Sequence, residues 1–239
     1  MPHSNTLLAR LSADILGEVS QHLTIVDLEC GHVLAESHQP VRLIYFPHSG
    51  VISSVVNLPG GDAVETGMIG NDGHFGAGQA MDGRVSFNDV VMQIKGSASV
   101  IGASKLNSLA ERFPPFRALL LGFDQFFTAQ VQQTAACNAV HPVEQRLCRW
   151  LLRMHDLAGP DLLITQEFLA EMIGVRRTSV SEVASRLQNA GLISYARGRI
   201  NIIDRNGLGA FACDCHRQVQ SHFQRLFGSA DLMAAGGAS

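Results

Sequence analysis

The sequence predicts an α+β protein in three parts: an N-terminal β-roll of the jelly-roll type, a long helix, and a C-terminal winged helix-turn-helix. Three observations lead to this prediction. Short apolar runs between residues 25 and 100 are separated by Gly, Pro and Asn about every ten residues, which is typical of a jelly roll. A stretch with helical periodicity follows them. Beyond it, two short amphipathic segments are joined at Gly174 and followed by a hairpin pattern.

Length and composition fit a folded chain of this size. The chain has 239 residues, enough for two small domains with real cores. Hydrophobic residues make up 46% and charged residues 16%, which excludes a disordered polar chain. No apolar run approaches the ~20 residues that a membrane-spanning helix needs, and residues 1–8 lack the pattern of a secretory signal. We therefore expect a soluble cytoplasmic protein with no membrane partner.

Five scattered cysteines argue against a disulfide framework. Of these, Cys213 and Cys215 are the pair that lies close in sequence. Such a pair can chelate a metal or sense redox state, but without a second pair nearby it cannot close a four-ligand zinc site on its own. The sequence thus predicts reduced cysteines and no metal site.

The N-terminal part begins with a helical pattern over residues 7–23. Strands are predicted at the apolar runs, and Gly60-Gly61 before Asp62 is a hairpin signal. We expect this part to span residues 1–108, the long helix 109–139 and the winged helix-turn-helix 140–227, with a disordered tail over 228–239. The five apolar runs are 25–28, 43–46, 51–56, 90–94 and 97–101.

The long helix carries a stripe of residues at alternating four- and three-residue spacing, the pattern of a coiled-coil seam. A helix packed on its own domain would also fit. A long helix between two small domains has little intrachain surface to cover such a stripe, so self-association into a homodimer is favoured. The stripe consists of Phe116, Leu120, Phe123, Phe127, Gln130 and Thr134.

The helix-turn-helix pattern is local and dense. Thr165 is placed to cap a first helix, and Gly174 follows that helix where a left-handed residue ends it. A second helix is predicted over 176–190 and ends at Gly191. Two short helices joined by a tight glycine turn form a DNA-reading unit whose second helix enters the major groove.

The polar face of the second helix supports that interpretation. Arginine suits guanine edges and phosphates, serine and threonine suit phosphates, and glutamate accepts from cytosine. Residues 141–205 hold nine arginines against seven acids, whereas residues 1–140 hold seven basic and twelve acidic residues. A solvated helix face is the alternative. The candidate DNA-contacting residues here are Thr165, Arg176, Arg177, Thr178, Ser179, Ser181, Glu182 and Arg186.

After Gly191, two alternating runs flank Arg197, Gly198 and Arg199. This pattern predicts a β-hairpin with a basic tip, which is a wing. We expect Arg197 and Arg199 to lie along the phosphate backbone or the minor groove.

In its order of elements and in four segments, the chain resembles the Crp/Fnr family of bacterial transcription regulators. The resemblance implies a cyclic-nucleotide-binding-like roll on a homodimeric winged helix. It also implies operator DNA, a second copy, RNA polymerase and a small-molecule effector as partners. The segments are QRLCRWLL at 145–152, TQEFLA at 165–170, GVRRTSV at 174–180 and RGRI at 197–200.

The base-reading positions depart from the family pattern. Arg177 occupies the place of the family's main guanine-reading arginine. Thr178 stands where cyclic-AMP receptor proteins have glutamate, and Glu182 stands where they have a second arginine. The resemblance therefore implies an operator other than the common family consensus.

The effector pocket departs further. In the family's cyclic-nucleotide binders a glycine-rich loop ends in glutamate, and here Ala77 stands at that place. Phe87 and Asn88 stand roughly where an Arg-Ser pair would hold the cyclic phosphate. We therefore expect that cyclic AMP is not bound in the usual way; a cyclic-nucleotide-responsive regulator with a rearranged pocket, using Arg84, is the alternative. The candidate pocket residues are Gly73, His74, Phe75, Gly76, Ala77, Arg84, Phe87 and Asn88.

Other cofactors and classes fit poorly, so the effector stays unknown. An iron–sulfur sensor of this family needs several cysteines near the N-terminus, and Cys30 alone is in range. For haem, His74 and His3 are candidates, but we expect surface histidines. The sequence has no His-x-His pair, nucleophile elbow, P-loop or His-Glu-x-x-His motif, so we expect no enzyme. An adaptor that uses the same fold to bind proteins is the second alternative.

Overall fold

A computed structural model describes residues 4–228 of the chain. The predicted disordered tail, from residue 229 onward, and His3 lie outside the described residues. The first described elements are a short 3-10 helix, Leu8–Arg10, and helix α1, Ala13–Ser20. The sequence predicted one helix here; the extended backbone of Ser12 divides it into two.

Two antiparallel sheets form the predicted β-roll. One has the strand order β1-β7-β3 and the other β2-β6-β4-β5. All five predicted strands are present, and the sequence missed β2 and β5. The bounds are β1 Thr24–Leu28, β2 Val33–Ala35, β3 Leu43–Pro47, β4 Val51–Asn57, β5 Ala63–Ile69, β6 Asp89–Ile94 and β7 Gly96–Gly102.

The β4–β5 hairpin turns where the glycine pair predicted it. The backbone N–H of Leu58 donates to the carbonyl of Asp62, and Gly61 has a positive φ of 92°. Between β5 and β6 the chain forms a short helix, α2, Ala77–Met81.

Helices make up most of the remaining chain. Helix α3 spans Ala103–Arg112, and α4 spans Pro114–Val140, beginning at a proline that a first turn tolerates. The winged helix-turn-helix follows, so the predicted fold class is confirmed. Its elements are α5 Val143–Ala158, β8 Asp161–Leu162, α6 Gln166–Met172, α7 Arg177–Asn189, β9 Ile193–Ala196, β10 Arg199–Ile202, α8 Arg205–Phe211 and α9 Cys215–Phe227. Within residues 4–228, none of these helices has the length and apolarity to cross a membrane.

The stripe predicted as a dimer seam is buried inside the chain. Phe116, Leu120 and Phe123 are fully buried, Gln130 and Thr134 are buried, and Phe127 is half-buried. The prediction that the chain offers little surface to cover them is wrong, because the β-roll packs on this face of α4. The side chain of Gln130 accepts a hydrogen bond from the Met68 N–H at 2.9 Å.

Helix α9 covers another part of α4. The rings of Phe126 on α4 and Phe223 on α9 meet edge to face, with centroids 5.1 Å apart. Phe223 in turn packs on Phe227, and Gly122 of α4 leaves room for that ring. The C-terminal helix therefore runs back over the long helix.

The β-roll and the winged domain share a core. Val51, Val55 and Met68 of the roll belong to the same apolar cluster as the buried residues of α5, α6 and α7. A largely buried ion pair, Arg153 of α5 with Asp72 at 2.8 Å, reinforces this contact. The structure thus links the sheet directly to the helix-turn-helix.

Candidate nucleic-acid interface and effector cavity

The turn between α6 and α7 has the local geometry that its sequence predicts. The Thr165 hydroxyl accepts a hydrogen bond from the Phe168 N–H at 3.2 Å and so caps α6. Gly174 adopts a positive φ of 62°, which ends α6 and turns the chain into α7. On α7, Val180 and Leu187 are fully buried, so the opposite face points outward.

The outward face of α7 is polar and begins at its N-terminal end. Arg176, Arg177, Thr178 and Glu182 are exposed. Arg176 occupies the N-cap without a side-chain hydrogen bond to the helix. The first N–H groups of α7 therefore lack a side-chain cap, and an anion such as phosphate suits that position.

Two other candidates on α7 make internal contacts. The hydroxyl of Ser181 donates to the side-chain oxygen of Gln166 at 2.5 Å and so ties α7 to α6. The guanidinium of Arg186 pairs with Glu144 of α5 at 2.9 Å. These contacts orient the helix, and Ser179 beside them is half-buried.

The wing is a two-residue hairpin between β9 and β10. Arg197 and Gly198 both have positive φ, 49° and 75°, as a type I′ turn requires. Arg197 and Arg199 are exposed at its tip. Tyr195 of β9 accepts a hydrogen bond from the backbone N–H of Gln166 at 3.2 Å, which anchors the wing to the start of α6.

Arg176, Arg177, Arg197 and Arg199 are exposed, and none of them has an acidic partner among residues 4–228. Arg205 of the same domain, in contrast, pairs with Asp156 at 2.7 Å. The helix tip and the wing therefore present uncompensated positive charge, which is the electrostatic pattern that phosphate binding needs.

A cavity of about 140 Å³ lies between the β-roll and α4. It is smaller than the ~300 Å³ at which ordinary small-molecule pockets begin. Five of the predicted pocket residues line it, together with three residues of α4. The predicted five are His74, Phe75, Gly76, Phe87 and Asn88, and those from α4 are Phe123, Asp124 and Phe127.

Three predicted pocket residues lie outside that lining. Gly73 faces the ring of Phe123, which leaves no room for a side chain there. Ala77 is buried at the start of α2. Arg84 is exposed, paired with Asp82 and not part of the cavity lining. The cavity lining among the described residues contains no arginine or lysine.

Two polar atoms at the cavity have no hydrogen-bond partner. His74 is fully buried, which corrects the expectation of a surface histidine, and its Nε2 lies 3.0 Å from the Leu120 carbonyl. Since a carbonyl only accepts, Nε2 of His74 is the donor in this contact. Nδ1 of His74 and Oδ2 of Asp124 are both unsatisfied. Burial raises the pKa of Asp124, with His74 opposing the shift.

A buried glutamate at the domain boundary went unpredicted. Glu65 of β5 accepts a hydrogen bond from the indole N–H of Trp150 on α5 at 2.8 Å, and Ser53 donates to its other oxygen. Burial raises the pKa of Glu65 to about 7, against the lowering effect of these hydrogen bonds and of Arg149 and Arg153. The one sequence signal for this buried glutamate is that an acidic residue interrupts the largely apolar run of β5.

Comparisons with known proteins agree with this geometry. Residues 145–211 match the profile of the Crp-like helix-turn-helix domain. FixK2 from Bradyrhizobium japonicum matches 80% of this chain and 98% of its own, with 14% identity and a TM-score of 0.68. The c-di-GMP responsive global regulator CLP of Xanthomonas campestris matches 80% of this chain and 99% of its own, with 15% identity and a TM-score of 0.66.

A CRP-family transcriptional regulator from Thermus thermophilus matches 85% of this chain and 97% of its own, with 18% identity and a TM-score of 0.63. None of the curated proteins compared with the chain matches it. At these identities the solved structures establish the fold, and the profile match establishes the type of helix-turn-helix. The predicted fold and the predicted Crp-like type of helix-turn-helix are thereby confirmed.

Proposed function

On the premise that this chain has the fold of a Crp/Fnr transcription regulator and a Crp-like helix-turn-helix at residues 145–211, we propose that it acts as a homodimer on a near-palindromic operator. One observation carries the proposal. Helix α7 and the wing direct four unpaired, exposed arginines outward from one domain.

On DNA, α7 enters the major groove with its N-terminal end toward the bases. Arg177 is the first residue of that helix and is the proposed guanine reader, with Thr178 and Glu182 on the same exposed face. Arg176 and the uncapped first turn of α7 take a phosphate. Arg197 and Arg199 of the wing contact the backbone or the minor groove and add affinity without base specificity.

The second copy binds on the exposed side of α4. Although the predicted seam is buried, a second stripe on the opposite side repeats at alternating three- and four-residue intervals and carries no charge. Leu121 is its largest residue and is 47% exposed. Paired along this stripe, two chains place their recognition helices about 34 Å apart, one turn of DNA. The stripe consists of Ala118, Leu121, Gln125, Thr128, Gln132, Ala135 and Ala139.

The effector is a small polar molecule, and it is not a cyclic nucleotide. The cavity holds about 140 Å³ and has no arginine or lysine for a phosphate among its described lining residues. Nδ1 of His74 and Oδ2 of Asp124, which both lack a hydrogen-bond partner, favour a ligand that forms hydrogen bonds with them. Because Phe123, Asp124 and Phe127 belong to α4, a bound ligand acts on the helix that carries the dimer stripe. RNA polymerase is the proposed further partner at the promoter.

Operator binding is tested with fragments of the host genome and the purified chain, across a salt titration. We expect affinity to fall steeply with salt, as counterion release requires. Arg177→Ala should cost ~1–3 kcal/mol on the selected operator and relax preference at one base pair in each half-site. Arg217→Ala, which removes the same charge from exposed Arg217 on α9, is the matched control and should bind as the parent does.

Two results would overturn this proposal: no binding to any genomic fragment at low ionic strength, or a uniform loss across unrelated sequences in the Arg177→Ala variant. The effector assignment has its own test. Calorimetric titration with cyclic AMP should give no binding heat, and saturable binding there would refute the proposed ligand class.

A further inference from the structure

Four metal-ligating side chains from distant parts of the chain meet at one end of α4. Cys137 lies in the last turn of that helix, His141 follows it, and Cys213 and Cys215 flank the start of α9. Their sulfur and imidazole nitrogen atoms all lie within 4.8 Å of one another. The Sγ atoms of Cys137 and Cys213 are 3.5 Å apart, and Sγ of Cys215 is 3.5 Å from Nδ1 of His141.

The two separations of 3.5 Å match a single tetrahedral ion, and the limit of 4.8 Å lets the remaining pairs reach that geometry by small side-chain movements. With Zn–S bonds of about 2.3 Å and Zn–N bonds of about 2.0–2.1 Å, tetrahedral angles place two sulfurs about 3.8 Å apart and a sulfur and a nitrogen about 3.6 Å apart. An iron–sulfur cluster distributes its cysteines over several iron atoms and needs a wider set. Three sulfurs and one imidazole in a tetrahedral arrangement favour zinc.

Burial raises the pKa of the Cys137 and Cys213 thiols, and several neighbouring groups oppose that effect by facing the sulfur atoms. The side-chain N–H of Gln133 points at the Cys215 sulfur at 3.0 Å, and the backbone N–H of Cys215 bonds the Cys213 sulfur. Cys215 is the first residue of α9, where the helix dipole favours negative charge. Three thiolates around Zn²⁺ leave one net negative charge, and Arg149 interacts favourably with a charged Cys137.

We propose that Cys137, His141, Cys213 and Cys215 form a structural Zn²⁺ site that fastens the start of α9 to the end of α4. The spacing Cys-x-Cys supplies two ligands, and the fold brings the other two from more than seventy residues away. The site lies where α4 passes into the winged domain, so it sets the position of α9 along the long helix. Buried or half-buried ligands, with all four coordination positions taken by protein, are typical of a structural site.

The rival arrangement is a disulfide between Cys137 and Cys213, whose sulfurs are close enough to bond after a small movement. That arrangement leaves His141 and Cys215 without a role. Since all four ligand atoms converge, the metal accounts for more of the geometry.

The first experiment measures metal content in the full-length chain, purified with reductant and without a metal-affinity tag. We expect about one zinc per chain, lost in Cys213→Ser and in Cys215→Ser. Cys30→Ser, which removes an exposed thiol outside the cluster, should keep the metal. A parent chain without metal after growth in zinc-replete medium would overturn the proposal, as would equal zinc content in parent and Cys213→Ser.

A second experiment needs no variant to fold. Titration of the reduced, metal-free parent chain with Co²⁺ should give the visible bands of tetrahedral cobalt and a thiolate charge-transfer band, and added Zn²⁺ should abolish both. Octahedral cobalt spectra would refute the site. Mass spectrometry of the chain isolated without reductant should find free thiols, and a Cys137–Cys213 disulfide would identify the rival arrangement instead.

Discussion

The buried carboxyl group of Glu65 makes folding stability depend on pH in a way that one substitution removes. Glu65 is 4% exposed, and its pKa is raised from 4.5 in its ordinary state to about 7 by burial. Each unit of pKa difference corresponds to about 1.4 kcal/mol, so ionising Glu65 costs about 3 kcal/mol more in the folded than in the unfolded chain.

The sign follows from proton binding. Between pH 4.5 and about 7, the folded chain keeps the proton on Glu65 while the unfolded chain has released it. The contribution of Glu65 to stability is therefore full below pH 4.5 and is lost as the pH rises through the folded pKa. The free energy of unfolding should fall across this window and level off above pH 8.

Glu65→Gln should abolish that slope. Glutamine is neutral at every pH and keeps a carbonyl oxygen to accept from Trp150, so the variant should gain up to about 3 kcal/mol relative to the parent between pH 5 and pH 8. Trp150 is the only tryptophan in the chain and donates to Glu65, so its fluorescence reports unfolding at this contact. Urea denaturation at half-unit pH steps measures the effect.

Subtracting the free energy of unfolding of the parent from that of the variant at each pH removes the contributions of all other titrating groups. Glu29→Gln is the control, because Glu29 is exposed and its variant should follow the parent at each pH. If the stability curves of the parent and Glu65→Gln run parallel from pH 5 to pH 8, burial of a neutral carboxyl at this boundary is refuted.

Three further predictions test the wing, the dimer stripe and the fit of α4. Arg199→Ala should weaken binding to all DNA sequences alike and lower the salt slope by about one, measured by competition binding; a loss confined to one operator would contradict a backbone role. Leu121→Glu should convert the proposed dimer to a monomer in sedimentation at micromolar concentration, because it places like charges opposite each other across the proposed dimer stripe. A dimer of unchanged affinity would show that the interface lies elsewhere. Gly73→Ala should lower the free energy of unfolding, measured with urea, by ~1–3 kcal/mol, because a Cβ there overlaps the Phe123 ring. Gly102→Ala is the control and should leave stability unchanged, because a Cβ there meets nothing within 4 Å. Equal stability of the two variants would show that α4 shifts freely.

The helix-turn-helix could be predicted because its signals are local. The cap at Thr165, the left-handed turn at Gly174 and the two-residue tip at Gly198 each specify backbone geometry within a few residues. The structure has all three where the sequence predicts them. None depends on what packs against the domain.

Strand β5 could not be predicted because distant elements dictate its residues. Its apolar run is broken by Glu65, which the Trp150 indole partners, and by Gly67. A Cβ at Gly67 would lie 2.8 Å from the Phe127 ring of α4. Both breaks in the pattern are requirements of tertiary packing.

The buried stripe that the sequence predicted as a dimer seam shows what periodicity alone cannot predict. A spacing of three and four residues establishes that a helix buries one face, but it does not say what covers that face. Here the β-roll covers that face, while α9, which begins 75 residues after the end of α4, covers a neighbouring part of the helix. The alternative of packing within the chain, which the sequence also allowed, is the one that the structure has.

Helix α4 contributes residues both to the proposed effector cavity and to the proposed dimer stripe, so no other element lies between the two. Its inner face supplies Phe123, Asp124 and Phe127 to the cavity, and its outer face supplies Leu121 and Gln125 to the dimer stripe. These residues interleave within two turns, so we expect a ligand that hydrogen-bonds to Asp124 to shift the proposed dimer stripe as well. A helix of 27 residues is about 40 Å long, and a small tilt near the cavity becomes a larger displacement at Val140, where the winged domain begins. On the proposed function, a ligand small enough for 140 Å³ is therefore expected to change the spacing of the two recognition helices.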